Sequence, residues 1–521
     1  MSFNHPNFGK LDDNRIIVFD TTLRDGEQSA GVGFTIEDKL EIARALARMN
    51  VDIIEAGFPF SSPGDLEAVS LIAREVKGPI IAGLARANNA DIDACWQALQ
   101  KAETPRIHVF ISTSDVHMAH QLRKNKEDVI EMVRAAVSRA ASYTSDVEFS
   151  PMDASRSDRD FVFQVLEAAI EEGATTINIP DTVGYAIPDE FGKLVAEIRN
   201  RVKGVEKTRI SVHCHNDLGM ATSNALAGVL NGARQVEGAI NGIGERAGNT
   251  AIEEVIMAVR TRPDYLGVHT DVNTREIYAA SRLVERVSGM AIQSNKAIVG
   301  KNAFRHSSGI HQDGVLKMRE TYEIINPADV GAPTTGGIVL TKVSGRHGLR
   351  ARLEELGASL SDAEFERVYE AFKEVADRRD EVDDRDLEAI LAEQTSMQVA
   401  EQWTLDLVQV SAGDHAAPTA TVRVIGPDGT VHEDAAIGSG PVDAIYRAIN
   451  RVMNVRNQLT EFSVKSVTEG IDAQGEVTIR IEADGGAYTG RAADTDILVA
   501  SARAYLHALN RYLNATTPRS A

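Results

Sequence analysis

The sequence predicts an α/β protein: a closed (β/α)8 TIM barrel, then a helical linker region, then a C-terminal α+β module. Two patterns lead to this prediction. From about residue 15 to residue 262, β-branched apolar runs alternate with amphipathic stretches, as in repeated β/α units around a parallel sheet. From Trp403 onward the pattern changes to two similar copies of three strands followed by a helix.

The barrel prediction rests on eight apolar runs. They recur at intervals of roughly 30 residues, which favours a closed barrel over an open doubly wound sheet. No GxGxxG motif follows any of them, so a nucleotide-binding sheet has little support. Between the runs lie helical patterns, one of which has Thr35 as its expected N-cap. The runs begin at Arg15, Asp52, Pro79, Arg106, Asp146, Thr175, Arg209 and Arg234.

Beyond the barrel the expected structure is helical and then α+β. An acidic stretch from Asp362 to Gln394 has its apolar residues on one stripe and indicates helices. The two βββα copies end in helices expected at residues 441–453 and 496–513. Such a duplication suggests either a ligand-binding or dimerising unit or a purely structural repeat. The expected regions are a catalytic barrel (15–280), a linker with helical subdomains (281–400) and the C-terminal module (401–521).

Composition excludes several classes of protein. The chain of 521 residues is too long for one ordinary core. No apolar run approaches the roughly 18 residues that span a bilayer, and the first residues lack the features of a secretory signal. Two cysteines fit a reducing compartment, so we expect a cytoplasmic protein and no membrane. A net charge of −21 argues against nucleic acid as a partner.

Candidate metal ligands follow two of the predicted strands, at the end where barrel enzymes carry their chemistry. The first run ends in FDTTLRDGEQ, which contains Asp25, and the seventh ends in HCHND. Because side chains alternate along a strand, His213 and His215 point to one side and Cys214 to the other. A lone histidine is more often an ordinary core residue, but a same-face pair with a carboxylate predicts a divalent metal. Mn²⁺ or Mg²⁺ is favoured, with Zn²⁺ as an alternative.

Other polar positions extend this site. Asn249 in NGIGERAGNT is a candidate for a fourth, amide-oxygen ligand, or it belongs to a loop that merely closes the barrel. Arg24 suits a carboxylate or an oxyanion, unless it pairs with a neighbouring acid. Thr182 in IPDTVG suits a hydrogen bond to a carboxylate, and His311, in a Gly/Ser-rich loop, suits a general acid or base. Further candidates are Gln28, His108, Glu148, Asp153 and His306.

Several of these segments resemble a known family. TTLRDGEQ, IPDTVG, HCHNDLGMA, NGIGERAGNT and SGIHQDGV are similar, in this order, to the signatures of the 2-isopropylmalate synthases. The C-terminal module, with GPVDA and DTDILVASARAYLHALNR, resembles the leucine-sensing domain of the long form of that family. LRDG and HxH alone are shared with homocitrate synthase, citramalate synthase and hydroxymethylglutaryl-CoA lyase, and the additional domain narrows the choice.

The resemblance implies a reaction and its partners. Acetyl-CoA condenses with 3-methyl-2-oxobutanoate, and thioester hydrolysis then gives 2-isopropylmalate and CoA, the first committed step of leucine biosynthesis. It further implies a homodimer inhibited by leucine. A divalent metal on Asp25, His213, His215 and Asn249 is expected to chelate the 2-oxo acid through its ketone and carboxylate oxygens.

The resemblance also implies roles for the remaining residues. Arg24 would stabilise the developing alkoxide, and His311 of the partner subunit would be the base. Met152 stands where many relatives carry a glutamate, which leaves the next residue, Asp153, as the expected assisting acid. The substrate-binding residues would be Arg24, Gln28, His108, Glu148 and Thr182.

Two other functions compete with this one. Citramalate synthase, which uses pyruvate, differs only in the size of an alkyl pocket, worth roughly 1–3 kcal/mol of discrimination. The other alternative is a protein of another class, a non-catalytic small-molecule sensor built around the C-terminal module. Such a sensor would not need Asp25, His213, His215 and Asn249 together, so the intact set of metal ligands counts against it.

Overall fold

Eight parallel strands close into a barrel in the computed structural model of the chain. Each strand begins within two residues of the run predicted from the sequence, which confirms the predicted fold class. The strands are β1 (Ile17–Asp20), β2 (Ile53–Glu55), β3 (Ile80–Arg86), β4 (Pro105–Ser112), β5 (Val147–Met152), β6 (Thr176–Asp181), β7 (Arg209–Cys214) and β8 (Gln235–Gly238). Neighbours in sequence pair with each other, and β8 pairs with β1 to close the barrel.

Part of the chain is described by the structure. The described residues are 4–6, 9–10, 13–333, 340–356, 358, 360–377, 382, 384, 386–387, 390–391, 402–413, 416–466, 475–484 and 486–516. Within them, no helix is both long enough and apolar enough to cross a membrane.

Helices surround the barrel. α1 begins after Thr35, whose hydroxyl accepts from the Asp38 backbone N–H while the Asp38 carboxylate accepts from the Thr35 N–H. This reciprocal capping box satisfies two backbone donors and confirms the predicted N-cap. The helices are α1 (Ile36–Arg48), α2 (Pro63–Glu75), α3 (Asn89–Leu99), α4 (Lys126–Tyr143), α5 (Arg159–Glu171), α6 (Pro188–Arg201), α7 (Ala221–Leu230) and α8 (Ile252–Thr261).

The inside of the barrel is largely apolar on one side, apart from Glu55 of β2, and polar on the other. Strands β1–β3 contribute a small apolar cluster, which consists of Ile17, Phe19, Ile53, Ile80 and Ala82. Strands β4–β8 contribute buried polar side chains, which include Arg106, His108, Glu148, Ser150, Asn178, Ser211, His213, Gln235 and Glu237. Charged side chains are almost never fully buried without partners, so this half of the barrel is where specific polar contacts must be found.

Further helices follow the barrel. They are α9 (Ile277–Ser288), α10 (Gly309–Lys317), α11 (Arg346–Glu355) and α12 (Asp362–Ala376). The α12 helix begins after Ser361 with another capping box and falls within the acidic stretch predicted to be helical. A short antiparallel pair, Asn4–His5 with Gly9–Lys10, lies at the N-terminus.

Two three-stranded antiparallel sheets, each followed by a helix, make up the C-terminal module, as predicted. One copy comprises β9 (Thr404–Gly413), β10 (Ala416–Ile425), β11 (Val431–Ile437) and α13 (Pro441–Met453). The other comprises β12 (Gln458–Ser466), β13 (Gly475–Ala483), β14 (Gly486–Asp494) and α14 (Ile497–Thr516). Both copies share one apolar core, in which the rings of Tyr446 and Tyr505 stack with centroids 4.2 Å apart.

The chain divides into two compact units, residues 1–349 and 350–521. The break falls inside the predicted linker region of 281–400. The other predicted boundary, near residue 400, lies outside the described residues. The division into three regions therefore stays a prediction.

Candidate metal centre and active site

Asp25, His213 and His215 meet at the C-terminal end of the barrel strands. The Asp25 Oδ2 atom lies 3.2 Å from His213 Nε2 and 3.3 Å from His215 Nε2. The two imidazole Nε2 atoms are 3.0 Å apart. All three side chains are buried, and their ligand atoms form one cluster that could hold a metal ion.

Local structure explains this convergence. His213 lies in β7 and His215 just beyond it, so strand alternation turns both imidazoles to the inside. Cys214 turns outward and packs in the apolar core between the strands and the helices, as predicted. Asp25 lies in the loop after β1, where its backbone N–H donates to the Thr21 carbonyl at 2.9 Å.

The cluster holds its carboxylate as an anion. Burial raises the pKa of the Asp25 carboxyl, but Arg24 and the two imidazoles outweigh it and hold the pKa well below its usual range. Burial also lowers the pKa of His213, yet Asp25 and Glu237 raise it to about 9. At His215 burial dominates, and the pKa is lowered. An anion with two nitrogen donors at this spacing is suited to a divalent cation.

Asn249 lies beside this cluster. An isolated antiparallel bridge pairs it with His215. The Asn249 amide donates from Nδ2 to the Ile243 carbonyl at 3.0 Å, and this contact fixes the orientation of the side chain. Its buried Oδ1 atom, like Asp25 Oδ2, has no partner at hydrogen-bonding angles among the described residues. Buried oxygens are rarely left unsatisfied, so these two atoms fit a bound cation.

A cavity of about 220 Å³ opens beside the cluster. Arg24, Gln28, His108 and Thr182 line it together with the three clustered residues. One part of the wall is apolar and consists of Phe58, Leu84, Phe110, Met152 and Pro180. The cavity therefore suits a small ligand with an oxygen-rich end and an alkyl end.

Arg24 and His108 are held by a shared carboxylate. Arg24 Nε donates to Glu55 Oε2 at 2.6 Å, and Arg24 Nη1 lies 3.2 Å from Asp25 Oδ1. His108 Nδ1 lies 2.8 Å from Glu55 Oε1, and His108 Nε2 lies 2.7 Å from Ser150 Oγ. Burial raises the pKa of Glu55, but Arg24 and His108 outweigh it and lower the pKa. A fixed, charged Arg24 thus faces the cavity.

Known proteins resemble the chain over nearly its whole length. The 2-isopropylmalate synthase of Pelotomaculum thermopropionicum is 56% identical to it, over 96% of this chain and 98% of the relative. The 2-isopropylmalate synthase of Gloeothece citriformis is 57% identical, over 96% and 95% of the two chains. The chain belongs to the 2-isopropylmalate synthase family. It is therefore an enzyme, a transferase of leucine biosynthesis, and the sensor alternative loses its support.

Family profiles match successive parts of this 2-isopropylmalate synthase family member. They are described as HMGL-like (residues 15–284), homocitrate synthase post-HMGL domain-like (298–380) and LeuA allosteric (dimerisation) domain (381–513). Among solved structures, hydroxymethylglutaryl-CoA lyase from Pseudomonas aeruginosa aligns with a TM-score of 0.47 and 21% identity. That alignment covers 54% of this chain and 95% of the lyase.

Two predicted site residues of this family member do not line the cavity. Asp153 follows β5 with φ of 69°, a left-handed conformation, and its carboxylate accepts two hydrogen bonds from Arg156 at 2.8 and 2.7 Å. Asp153 thus lies outside the cavity lining, and its role as assisting acid stays a prediction. Glu148 is also buried away from the cavity, because Arg106 and Gln235 occupy its carboxylate at 2.8 Å each. The structure does not place it as a substrate-binding residue.

The remaining predicted residues have clear positions. Thr182 lines the cavity, and its hydroxyl accepts from the Asp153 backbone N–H at 2.9 Å. His311 is exposed on α10, outside the cavity lining, with its ring stacked on Tyr322 at 4.1 Å. The neighbouring His306 lies 3.1 Å from Glu323. Catalysis by His311 stays a prediction.

Three residues at the site were missed from the sequence. Glu55 ends β2 and holds Arg24, Glu237 in β8 lies beside His213, and Arg246 lines the cavity. Charged residues inside the short apolar runs DIIEAGF and RQVEGAI were the available signal for the two glutamates. Arg246 lies within NGIGERAGNT, and its guanidinium donates to the Thr182 carbonyl at 2.8 Å.

Proposed function

We propose that the chain condenses acetyl-CoA with 3-methyl-2-oxobutanoate and hydrolyses the thioester, releasing 2-isopropylmalate and CoA. One observation carries the proposal: the Asp25, His213 and His215 cluster and the apolar wall face the same small cavity. A branched 2-oxo acid has an oxygen-rich end and an alkyl end, which match these two parts of the cavity. Its vicinal oxygens suit the cluster, and its isopropyl group suits the wall.

We further propose that Asp25, His213, His215 and Asn249 hold a divalent metal, with Mn²⁺ favoured over Mg²⁺ and Zn²⁺. The mixed nitrogen and oxygen set without thiolate supports this preference. When bound, such an ion polarises the ketone of the 2-oxo acid towards nucleophilic attack.

The protein's own residues would then perform the positioning and the charge stabilisation. Arg24, fixed by Glu55, offers its guanidinium to the alkoxide that develops as the new carbon–carbon bond forms. Thr182, His108 and Gln28 line the cavity and orient the oxo acid.

A base must remove one proton from the methyl group of acetyl-CoA before that bond forms. We assign this step to His311 of the partner subunit, and the assignment includes a homodimer because His311 lies outside the cavity lining of its own chain. The proton then resides on the imidazole, and the alkoxide is protonated after condensation. Water finally cleaves the thioester, and CoA leaves as the free thiol. A cytoplasmic location stays part of the proposal.

Leucine is the proposed effector of residues 401–521. The match of residues 381–513 to an allosteric domain and the duplicated βββα architecture support this assignment. For inhibition, leucine must bind the two functional states of the enzyme with unequal affinity.

Release of free thiol from acetyl-CoA tests the reaction. We expect release that depends on added Mn²⁺ and is faster with 3-methyl-2-oxobutanoate than with pyruvate at equal concentration. Exhaustive chelation should abolish release, and Mn²⁺ should restore it. Equal or faster use of pyruvate would identify a citramalate synthase instead, since the two reactions differ only in the alkyl group.

A further inference from the structure

A chain of buried polar side chains runs inside the barrel and ends at Glu237, which lines the cavity. It begins with Arg106 in β4, which is fully buried. Arg106 Nε donates to Asp146 Oδ1 at 2.9 Å, and Arg106 Nη1 donates to Glu148 Oε2 at 2.8 Å. Gln235 Nε2 donates to the other oxygen of Glu148 at 2.8 Å. Glu148 is therefore bound at both oxygens by side chains from two different strands.

The chain continues to Glu237 on β8. Gln235 Nε2 also donates to Ser211 Oγ at 3.0 Å, and Ser211 Oγ donates to Glu237 Oε1 at 3.4 Å. The second oxygen, Glu237 Oε2, lies 3.0 Å from His213 Nδ1. In the register of β7 and β8, Glu237 stands directly opposite His213.

The contact between Glu237 and His213 has one competitor, the neighbouring Glu148 carboxyl. Within the described part of the chain, Glu237 Oε2 and His213 Nδ1 are both buried and have no other partner at hydrogen-bonding geometry. Their separation of 3.0 Å is that of a hydrogen bond, although the angle departs from ideal. An Nδ1–H directed at a carboxylate leaves the lone pair on Nε2, the atom that faces Asp25 and His215.

A second metal site is not the better explanation of these acids. His108, Glu148 and Glu237 present ligand atoms within 4.8 Å of one another. However, both Glu148 oxygens already accept hydrogen bonds, and both His108 nitrogens contact Glu55 or Ser150. Only Glu237 has an unoccupied oxygen, and that oxygen faces His213.

We propose that Glu237, held in place by Ser211, Gln235, Glu148 and Arg106, is the positioning residue that fixes the tautomer and orientation of His213. The inference rests on the proposed metal site. Metal-bound histidines commonly donate their second N–H to a carboxylate, and loss of that partner weakens metal binding roughly 10- to 100-fold. Glu148 thus acts through Glu237 and does not contact the substrate.

Glu237→Gln tests the proposal in the full-length protein. The substitution keeps the shape but removes the negative charge, so the group that faces the His213 Nδ1–H is at best a neutral amide oxygen. We expect Mn²⁺ affinity, measured by calorimetry, to fall roughly 10- to 100-fold, and the electron paramagnetic resonance spectrum of bound Mn²⁺ to change. Asp52→Asn is the matched control: it removes a buried carboxylate that accepts from the Val18 N–H and lies just before β2, which is separated from β7 by β8 and β1. The control should retain wild-type Mn²⁺ affinity and spectrum.

Glu148→Gln separates support of His213 from substrate binding. We expect it to lower Mn²⁺ affinity in the absence of any oxo acid, whereas a substrate-binding glutamate would alter only the KM for the oxo acid. Should Glu237→Gln fail to fold, Glu237→Asp replaces it, because it withdraws the carboxylate by one methylene and should cause the same loss.

The outcomes are distinguishable. If the wild-type protein binds no Mn²⁺, both the proposed metal site and this inference are overturned. If wild type binds Mn²⁺ and the Glu237 variant binds it equally well with an unchanged spectrum, the positioning role alone is overturned.

Discussion

Replacement of Arg24 by lysine is the most informative single perturbation of the cavity. The guanidinium contacts two carboxylates at once, Glu55 at 2.6 Å and Asp25 at 3.2 Å. A lysine keeps the charge but presents one compact head, so one of these charge-assisted contacts is lost, at a cost of about 1.5–3 kcal/mol. Glu55 stays paired with His108, and we therefore expect the protein to fold.

We expect Arg24→Lys to lower kcat more than it lowers the affinity for Mn²⁺. Removal of one preorganised donor to a developing oxyanion lowers kcat by roughly 100- to 1000-fold, or about 2.7–4 kcal/mol. The assay is thiol release from acetyl-CoA at saturating oxo acid, with Mn²⁺ affinity measured in parallel. Arg139→Lys is the control, because Arg139 holds Asp93 through two contacts of 2.7 Å on the outer helices. A kcat for Arg24→Lys within tenfold of wild type, with Mn²⁺ bound, would refute the assigned role.

Three further predictions concern the metal cluster, Glu148 and the C-terminal module. His215→Ala should abolish stoichiometric Mn²⁺ binding in calorimetry, since it removes one of three clustered ligands; retained 1:1 binding contradicts the site. Burial and Glu237 raise the pKa of Glu148 from 4.5 to about 8, despite Arg106. The folded state therefore holds the extra proton, and the contribution of Glu148 to stability falls as the pH rises from 5 to 7, so thermal unfolding of Glu148→Gln should depend less on pH than that of wild type. Truncation before Trp403 should abolish inhibition of thiol release by leucine; persistent inhibition places the effector elsewhere.

Local and periodic features were predictable from the sequence. The eight strands, the N-cap at Thr35 and the common side of His213 and His215 all follow from short-range patterns. A strand period of two determines which side chains face inward, and a capping motif spans only four residues. These signals do not depend on which strands become neighbours.

The supporting contacts were not predictable because they depend on long-range register. Glu237 reaches His213 because β7 and β8 pair with these residues opposite each other. Glu55 in β2 contacts both Arg24, in the loop after β1, and His108, in β4. No sequence pattern specifies these contacts. Asp153 is turned towards Arg156 by a left-handed backbone conformation, which its sequence, PMDAS, does not reveal.

A crystal structure with Mn²⁺ and 3-methyl-2-oxobutanoate tests the central claim most directly. Anomalous scattering at the manganese edge should give one strong peak bonded to Asp25, His213, His215 and Asn249. The ketone and carboxylate oxygens of the oxo acid should complete the coordination, with the isopropyl group against Leu84, Phe110 and Met152. A manganese peak elsewhere, or an oxo acid bound away from these four ligands, would contradict the claim.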